Sequence, residues 1–200
     1  MRVGLTGGIG SGKTLVSRIF SLNGAAIFYS DQEAKRIINE NPTAIEEITA
    51  LLGSEAYLNS IYNVPFVSKK VFENPELRLS LNSIVHHLVR AEFNEFCQNN
   101  PNSICINEAA ILYETQAHST FDKIILVTAP MQTRINRIMK RDNSTLAQVQ
   151  LKMQNQWSDE QKRKFNPIEI INDESKSLLI EVQKTYDYLL SLKSSKSSKS

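Results

Sequence analysis

The sequence has few cysteines and no long apolar run, the features that are typical of disulfide-bonded, metal-binding or membrane-spanning proteins. Its 200 residues contain only two cysteines, Cys97 and Cys105. These lack the spacing of metal ligands, so buried thiols are expected rather than a disulfide or a ligand pair. No apolar run is long enough to cross a membrane, and the chain starts directly in a strand-like segment instead of a signal peptide. We therefore expect a cytoplasmic protein that does not engage a membrane.

An excess of charge of one sign is also lacking. The formal net charge is +2, with 23 lysines and arginines against 21 acidic residues. Three of the lysines lie in the polar C-terminal stretch 193–200, and without them the net charge would be −1. A nucleic-acid partner is therefore not expected. The stretch has no apolar residue and low complexity, so we expect it to be a disordered tail.

Glycine is sparse, yet four of the seven glycines fall in one run near the N-terminus. Residues 7–14 read GGIGSGKT and fit the pattern G-x-x-x-x-G-K-[ST]. The segment before this run, residues 2–6, favours a strand, and apolar residues at helical spacing follow it. A strand, a glycine loop and a helix in this order are the context in which the pattern binds nucleotide phosphates.

Each position of the glycine loop has a chemical task in this interpretation. Glycines allow successive backbone N–H groups to converge on a phosphate, and the helix that follows adds the positive end of its dipole. Lys13 would reach the β- and γ-phosphates, and the Thr14 hydroxyl would ligate Mg²⁺. The alternative is a glycine-rich turn that only caps a helix. The expected nucleotide contacts are Gly8, Ile9, Gly10, Ser11, Gly12, Lys13 and Thr14.

Further apolar runs predict the remaining strands of a buried parallel sheet. They cover residues 25–29, 103–107, 123–128 and 169–172. Since helical segments alternate with them, we expect a three-layer α/β fold with a five-stranded parallel sheet and ligands beyond the carboxyl ends of its strands. Helical patterns dominate the segment after the second strand and predict an inserted subdomain. Its longest helix follows Pro75, with an expected buried stripe at Leu77, Leu81, Ile84 and Leu88.

Several separated residues, taken with the glycine loop, give the chain a resemblance to the dephospho-coenzyme A kinase family. They are Asp31, Arg78, Leu81, Asn82, His86, the run Glu108–Glu114, Arg137, Arg141, Gln156 and Asn172. Their order and spacing carry the resemblance, which covers nearly the whole chain apart from the tail. It implies a P-loop kinase that uses ATP and Mg²⁺ to phosphorylate the ribose 3′-hydroxyl of dephospho-coenzyme A, the last step of coenzyme A biosynthesis.

The resemblance also implies a division of the chain. One P-loop kinase domain would span residues 1–192, and residues 193–200 would be the tail. The sheet core would comprise about 1–30, 101–135 and 165–192, with a helical acceptor subdomain at about 31–100 and a helical lid at about 136–164. The sequence does not determine an oligomeric state.

On the acceptor side, the resemblance assigns Asp31 to orient the acceptor hydroxyl and to take its proton. By residue type alone, Asp31 could equally be the N-cap of the next helix. Arg78, Asn82 and His86 are spaced four apart and share one helix face. The resemblance places this face beside the acceptor pocket, whereas residue type alone would also fit a solvated face.

On the donor side, the resemblance implies a role for Glu108 in holding a water ligand of Mg²⁺ or in anchoring the acceptor, the alternative being a cap for the next turn. Arg134, Arg137 and Arg141 recur at helical spacing. The resemblance makes this ridge part of the lid, with Arg137 and Arg141 on the transferring phosphate, whereas residue type alone would fit a charged surface helix. Asn172 would lie near the nucleotide base. The catalytic candidates are Lys13, Asp31, Arg137 and Arg141.

Two other functions remain open from the residues. Another small P-loop kinase, acting on a nucleoside, a nucleotide or a shikimate-like alcohol, would share the glycine loop and the lid arginines. A nucleotide-dependent switch with no acceptor is less favoured, because a GTPase of that kind carries an Asn-Lys-x-Asp motif and this sequence has none.

Overall fold

The computed structural model describes residues 1–197 and gives side-chain surroundings as far as residue 195. Its strands are β1 (Arg2–Thr6), β2 (Ala26–Tyr29), β3 (Tyr57–Leu58), β4 (Ile61–Tyr62), β5 (Cys105–Glu108), β6 (Lys123–Thr128) and β7 (Ile168–Ile171). Its helices are α1 (Lys13–Leu22), α2 (Ser30–Glu40), α3 (Pro42–Leu52), α4 (Val64–Glu73), α5 (Pro75–Asn99), α6 (Met131–Asp142), α7 (Leu146–Gln154), α8 (Asp159–Arg163) and α9 (Leu178–Ser197).

The first of two compact units contains residues 1–28 and those from Asn99 onward. Its five-stranded sheet has the order β2-β5-β1-β6-β7, and β1 pairs in parallel with both β5 and β6. Val3 in β1 aligns with Ile106 on one side and with Lys123 on the other. The expected five-stranded parallel sheet is therefore confirmed, with the strand that enters the glycine loop at its centre.

One face of this sheet packs against α1 and α9. Val3 and Leu5 are fully buried there, together with Phe20 of α1 and Val182 of α9. Because side chains alternate along a strand, Gly4 faces the other side, where an added Cβ would lie 2.7 Å from Leu112 Cδ1. The two elements that flank the glycine loop, β1 and α1, are thus both held by the same core.

The second compact unit, Tyr29–Gln98, is mainly helical, as the sequence indicated. Its buried apolar residues include Ile37, Ala44, Ile48, Leu52, Ala56 and Val67. The sequence did not predict its short antiparallel hairpin of β3 and β4. Asn59 and Ser60 turn this hairpin at φ of 49° and 65°, a left-handed conformation without glycine.

One alternative for this unit is excluded, and one prediction is wrong. The N-cap of α2 is Tyr29, so Asp31, which already lies in the first turn, does not cap the helix. The buried positions of α5 are Leu81, Val85, Val89 and Phe93, whereas Leu77, Ile84 and Leu88 are only partly buried. The buried stripe therefore advances by four residues at each step, and it contains only Leu81 of the predicted set.

The last helix extends further than the sequence indicated. Helix α9 continues to Ser197, so the expected disordered tail is wrong for residues 193–197. Lys193 donates to the carbonyl oxygen of Asn102, and the Ser194 hydroxyl donates to the carbonyl oxygen of Leu190 at 3.1 Å. The rest of the expected tail, 198–200, lies outside the described residues. Within residues 1–197, no helix combines the length and the apolarity that a membrane crossing requires.

Candidate nucleotide site

The glycine loop joins the carboxyl end of β1 to the first residue of α1. Gly10 and Gly12 have φ values of 81° and 97°, which residues with a Cβ rarely adopt. Gly12 is also the N-cap of α1, and among the described residues no side chain caps this helix. The positive end of the helix dipole therefore faces the loop without a competing side-chain acceptor, as an anion site requires.

Asn172 holds the loop from the end of β7. Its side-chain amide Nδ2 donates to the carbonyl oxygen of Ser11 at 2.9 Å, in a buried position. The backbone N–H of Asn172 donates to the carbonyl oxygen of Thr128 at the end of β6, at 2.8 Å. The sequence predicted that Asn172 lies near the nucleotide base, and the structure places its amide directly against the phosphate loop.

Ile9, near the centre of the loop, is held on both of its backbone polar groups. Its N–H donates to Gln156 Oε1 at 2.8 Å, and its carbonyl oxygen accepts from Arg134 Nε at 3.0 Å. Arg134 is only 8% exposed and pairs through Nη1 with Asp159 Oδ2 at 3.2 Å. The sequence grouped Arg134 with the lid arginines and did not predict these contacts, although Gln156 belonged to the resemblance.

Lys13, Thr14 and Glu108 lie around the first turn of α1. Lys13 Nζ donates to the carbonyl oxygen of Gly7 at 2.9 Å. The hydroxyls of Thr14 and Ser17 donate to the two carboxylate oxygens of Glu108, at 3.2 and 3.1 Å. Both oxygens of Glu108 thus contact α1. A hydroxyl beside a carboxylate at the phosphate loop fits the oxygen ligands that Mg²⁺ prefers.

The two lid arginines assigned to the phosphate have different surroundings. Arg137 donates through Nη2 to the carbonyl oxygen of Asn172 at 3.3 Å and pairs with Glu174 at 3.1 Å. Its Nη1 is buried and has no hydrogen-bond partner among the described residues, and it lies 3.9 Å from the position of a Cβ on Gly12. A buried donor without a partner is unfavourable, and an anionic oxygen beside Gly12 would satisfy it.

Arg141, by contrast, lies at the exposed end of α6. Its Nε pairs with Asp142 at 2.7 Å, and Lys152 pairs with the same carboxylate at 2.9 Å. Hydrogen bonds from Arg141 and then from Lys152 hold the pKa of Asp142 well below its ordinary value. In the described residues, therefore, Arg137 is grouped with the loop, whereas Arg141 is paired on the surface.

A second buried ion pair, which the sequence did not predict, joins the lid segment to the segment after β5. Lys162 is fully buried, and its Nζ lies 3.1 Å from Glu114 Oε1. The backbone N–H of Trp157 donates to the same oxygen at 2.9 Å. Burial, and then the charge of Glu114, raise the pKa of the neighbouring Tyr113 to about 12. Glu114 belonged to the run that carried the resemblance, but nothing in the sequence pointed to Lys162, since lysines are mostly found on surfaces.

The acceptor-side candidates lie in the second unit. Asp31 is exposed in the first turn of α2, which directly follows β2. Arg78 and Asn82 are exposed on α5, and His86 is half-buried. Burial, and then the charge of Arg90, lower the pKa of His86. This shift favours the neutral imidazole, which has one hydrogen-bond donor and one acceptor.

A parallel sheet, a glycine loop at the end of its central strand and an arginine-bearing helix beside that loop are together the arrangement of a P-loop phosphotransferase. Residues 1–177 match the family model described as dephospho-CoA kinase. The chain therefore belongs to the dephospho-CoA kinase family, and the resemblance stated from the sequence is confirmed.

One curated relative agrees with this assignment, and two solved structures share the fold. The chain is 30% identical over 193 residues to a dephospho-CoA kinase of Bacteroides fragilis, covering 94% of this chain and 93% of that protein. A crystal structure from Thermus thermophilus is 25% identical with a TM-score of 0.80, and the match covers 96% of each chain. A dephospho-CoA kinase from Campylobacter jejuni is 24% identical with a TM-score of 0.68, over 94% of this chain and 96% of that one.

Gly12 offers a test of the loop geometry. A Cβ at this position would lie 2.2 Å from Asn172 Nδ2, in a backbone with φ of 97°. We expect Gly12→Ala to weaken ATP binding by at least about tenfold, because the backbone conformation becomes strained and either the loop or the Asn172 amide must shift, which breaks their contact. Isothermal titration calorimetry with ATP measures the effect.

Gly53→Ala is the matched control. Gly53 has nearly the same φ, 93°, but a Cβ there would meet nothing within 4 Å. Because Gly53 combines this φ with a ψ of 166°, we expect the variant to lose about 1 to 3 kcal/mol of stability from backbone strain and to keep its ATP affinity within about twofold. Equal ATP affinity in both variants would contradict the interpretation that Asn172 sets the loop conformation.

Proposed function

We propose that this chain transfers the γ-phosphoryl group of ATP to the ribose 3′-hydroxyl of dephospho-coenzyme A, giving coenzyme A and ADP, the last step of coenzyme A biosynthesis. The observation that carries the proposal is the family match over residues 1–177. This range includes the glycine loop, the second unit and the whole of helices α6 to α8. The donor and acceptor candidates are therefore all within it.

The donor half of the proposed site is built on the glycine loop. The backbone N–H groups of the loop and the N-terminus of α1 would bind the β- and γ-phosphates, with Lys13 neutralising their charge. Thr14 would hold Mg²⁺ through its hydroxyl, and Glu108 Oε1 lies 3.2 Å from that hydroxyl oxygen. A bound Mg²⁺ supplies charge neutralisation across the two phosphates.

Arg137 is the lid residue best placed to act on the transferring group. Its buried Nη1, which has no hydrogen-bond partner within residues 1–197, lies next to Gly12 and supports this role, since a planar guanidinium can stabilise charge that develops in the transition state. Arg141 would have to leave its pair with Asp142 to do the same. The contribution of Arg141 therefore requires a rearrangement that the contribution of Arg137 does not.

The acceptor half rests on Asp31, with Arg78, Asn82 and His86 as substrate-binding candidates. Since Tyr29 is the N-cap of α2, the structural alternative in which Asp31 caps this helix is removed. A carboxylate at this position can align the acceptor hydroxyl and take its proton. Because phosphoryl transfer has a loose transition state, alignment supplies the larger share of that contribution.

The function itself is tested by acceptor choice. The purified chain, with ATP and Mg²⁺, is assayed for ADP release with dephospho-coenzyme A, nucleosides, nucleotides and shikimate. We expect kcat/KM for dephospho-coenzyme A to exceed that of every other acceptor by at least about a hundredfold. Lys13→Ala, which removes the charge at the phosphates, shows whether the measured turnover belongs to this chain. Robust turnover of another acceptor, with none of dephospho-coenzyme A, would overturn the proposal.

Asp31→Ala tests the acceptor half by itself. We expect kcat to fall by about a hundredfold to ten-thousandfold, since the variant loses alignment of the hydroxyl and its proton acceptor. Affinity for ATP, measured by calorimetry, should change by less than about twofold. Glu40→Ala, an exposed acidic position on the same helix, is the matched control. The role of Asp31 is excluded if the variant keeps more than about a tenth of the original kcat.

Glu108→Gln tests the metal assignment. Glutamine is isosteric and can still accept a hydrogen bond from Thr14, but it removes the negative charge beside the proposed Mg²⁺ ligand. We expect the Mg²⁺ concentration for half-maximal activity to rise by about tenfold, with ATP affinity in the absence of metal unchanged. Glu160→Gln is the control, because Glu160 is an exposed glutamate in α8. An unchanged Mg²⁺ dependence would contradict a role for Glu108 at the metal.

A further inference from the structure

Arg134 stands apart from the other arginines of α6. Its side chain is almost fully buried, and Nε donates to the carbonyl oxygen of Ile9 at 3.0 Å. Nη1 is engaged by Asp159 at 3.2 Å, with the two side chains only 9% and 13% exposed. This guanidinium is therefore oriented by a partner on one side and bound to the backbone of the phosphate loop on the other.

The burial of this ion pair is not explained by stability. Removing two charges from water costs about as much as their attraction returns, so an apolar pair of similar volume would often serve as well. The pair does, however, fix the direction of the guanidinium. Since Arg134 Nε reaches a backbone atom of the loop, the structure gives the pair a geometric task, which is to place one hydrogen-bond donor at Ile9.

Glycine at position 8 points to the same conclusion. The phosphate-loop pattern requires glycine at positions 7 and 12 but accepts any residue at positions 8 to 11. A Cβ on Gly8 would lie 2.0 Å from Arg134 Nη2 and 2.5 Å from Cζ. No positive φ restricts Gly8, so a side chain there is opposed by the guanidinium of Arg134, which Ile9 and Asp159 hold in place.

Gly10 shows that the contact extends along α6. A Cβ at Gly10 would lie 2.7 Å from the carbonyl oxygen of Arg134 and 3.0 Å from Ile138. The two glycines that the pattern does not require thus both face the same turn of this helix. The extra glycines and the buried arginine form one close-packed contact between the loop and α6.

We propose that Arg134 is a positioning residue of the phosphate loop, which it holds through the Ile9 carbonyl oxygen and the space over Gly8, and not a lid arginine that contacts phosphate. The proposal deepens the proposed function, on which it rests only in that the loop binds ATP. Loss of Arg134 releases the loop from α6. The free loop then samples more conformations, of which only a fraction can bind ATP, so ATP affinity falls.

A double-mutant cycle between residues 8 and 134 tests this proposal. Calorimetry with ATP and Mg²⁺, on the full chain and without any acceptor, gives the dissociation constant of each variant. We expect Gly8→Ala and Arg134→Met each to weaken binding by about tenfold. Combined, they should weaken it no more than Arg134→Met alone, because removal of the guanidinium makes room for the Cβ. Multiplicative effects, or a change of less than about twofold in Arg134→Met, would overturn the proposal.

Control variants separate positioning from a general loss of structure. Arg163→Met removes an exposed lid arginine that pairs with Glu169 at 2.7 Å, and it should leave ATP affinity within about twofold. Asp159→Asn keeps a hydrogen-bond acceptor for Arg134 but removes the negative charge, and it should weaken ATP binding by about threefold. This variant keeps the proposal testable if Arg134→Met folds poorly. Unchanged ATP affinity in a folded Asp159→Asn variant would also contradict the proposal.

Kinetics supply a further readout that a purely structural role would not move. We expect KM for ATP to rise by about tenfold in Arg134→Met, while KM for dephospho-coenzyme A stays within about twofold. Partial unfolding would instead lower the active fraction and leave both KM values unchanged, which would contradict a positioning role. Because the calorimetric cycle needs no acceptor, its outcome does not depend on whether dephospho-coenzyme A is the substrate.

Discussion

The conformation of the glycine loop depends on hydrogen bonds from residues far along the chain. Glycines restrict the backbone little, and ordering them costs more conformational entropy than ordering other residues. Asn172, Arg134 and Gln156 offset this cost with bonds to the loop that span 161, 125 and 147 residues. The conformation of the phosphate site therefore requires β1 to lie beside the elements that follow β6 and β7.

Position along α6 decides what each of its arginines does. Arg134 and Arg141 are seven residues apart, so they lie on nearly the same helix face, about 10 Å apart along the axis. The end of α6 that carries Arg134 packs on the loop, and the other end is exposed. Arg137, between them, contacts Asn172 and keeps one buried N–H without a partner among the described residues. One basic ridge in sequence thus becomes a loop contact, a buried donor beside Asn172 and a surface ion pair.

The sequence predicted those parts that depend on local pattern. All five sheet strands begin and end within two residues of their expected bounds, because buried parallel strands are continuous apolar runs. The glycine loop could also be predicted, since its pattern is contained in eight consecutive residues. Lys162 was not, because its burial depends on Glu114, which lies 48 residues earlier. The hairpin was missed for a different reason, as Asn59 and Ser60 form its turn without glycine.

The contact between Thr14 and Glu108 shows how a carboxylate can serve the proposed Mg²⁺ site without binding the metal. A threonine hydroxyl has one proton to donate and two lone pairs to offer. Thr14 gives its proton to Glu108 Oε1, so its lone pairs remain for a cation. Ser17 occupies the other carboxylate oxygen and holds Glu108 against α1. In this arrangement Glu108 orients the hydroxyl that would bind the proposed Mg²⁺, and it adds negative charge nearby without having to be a ligand itself.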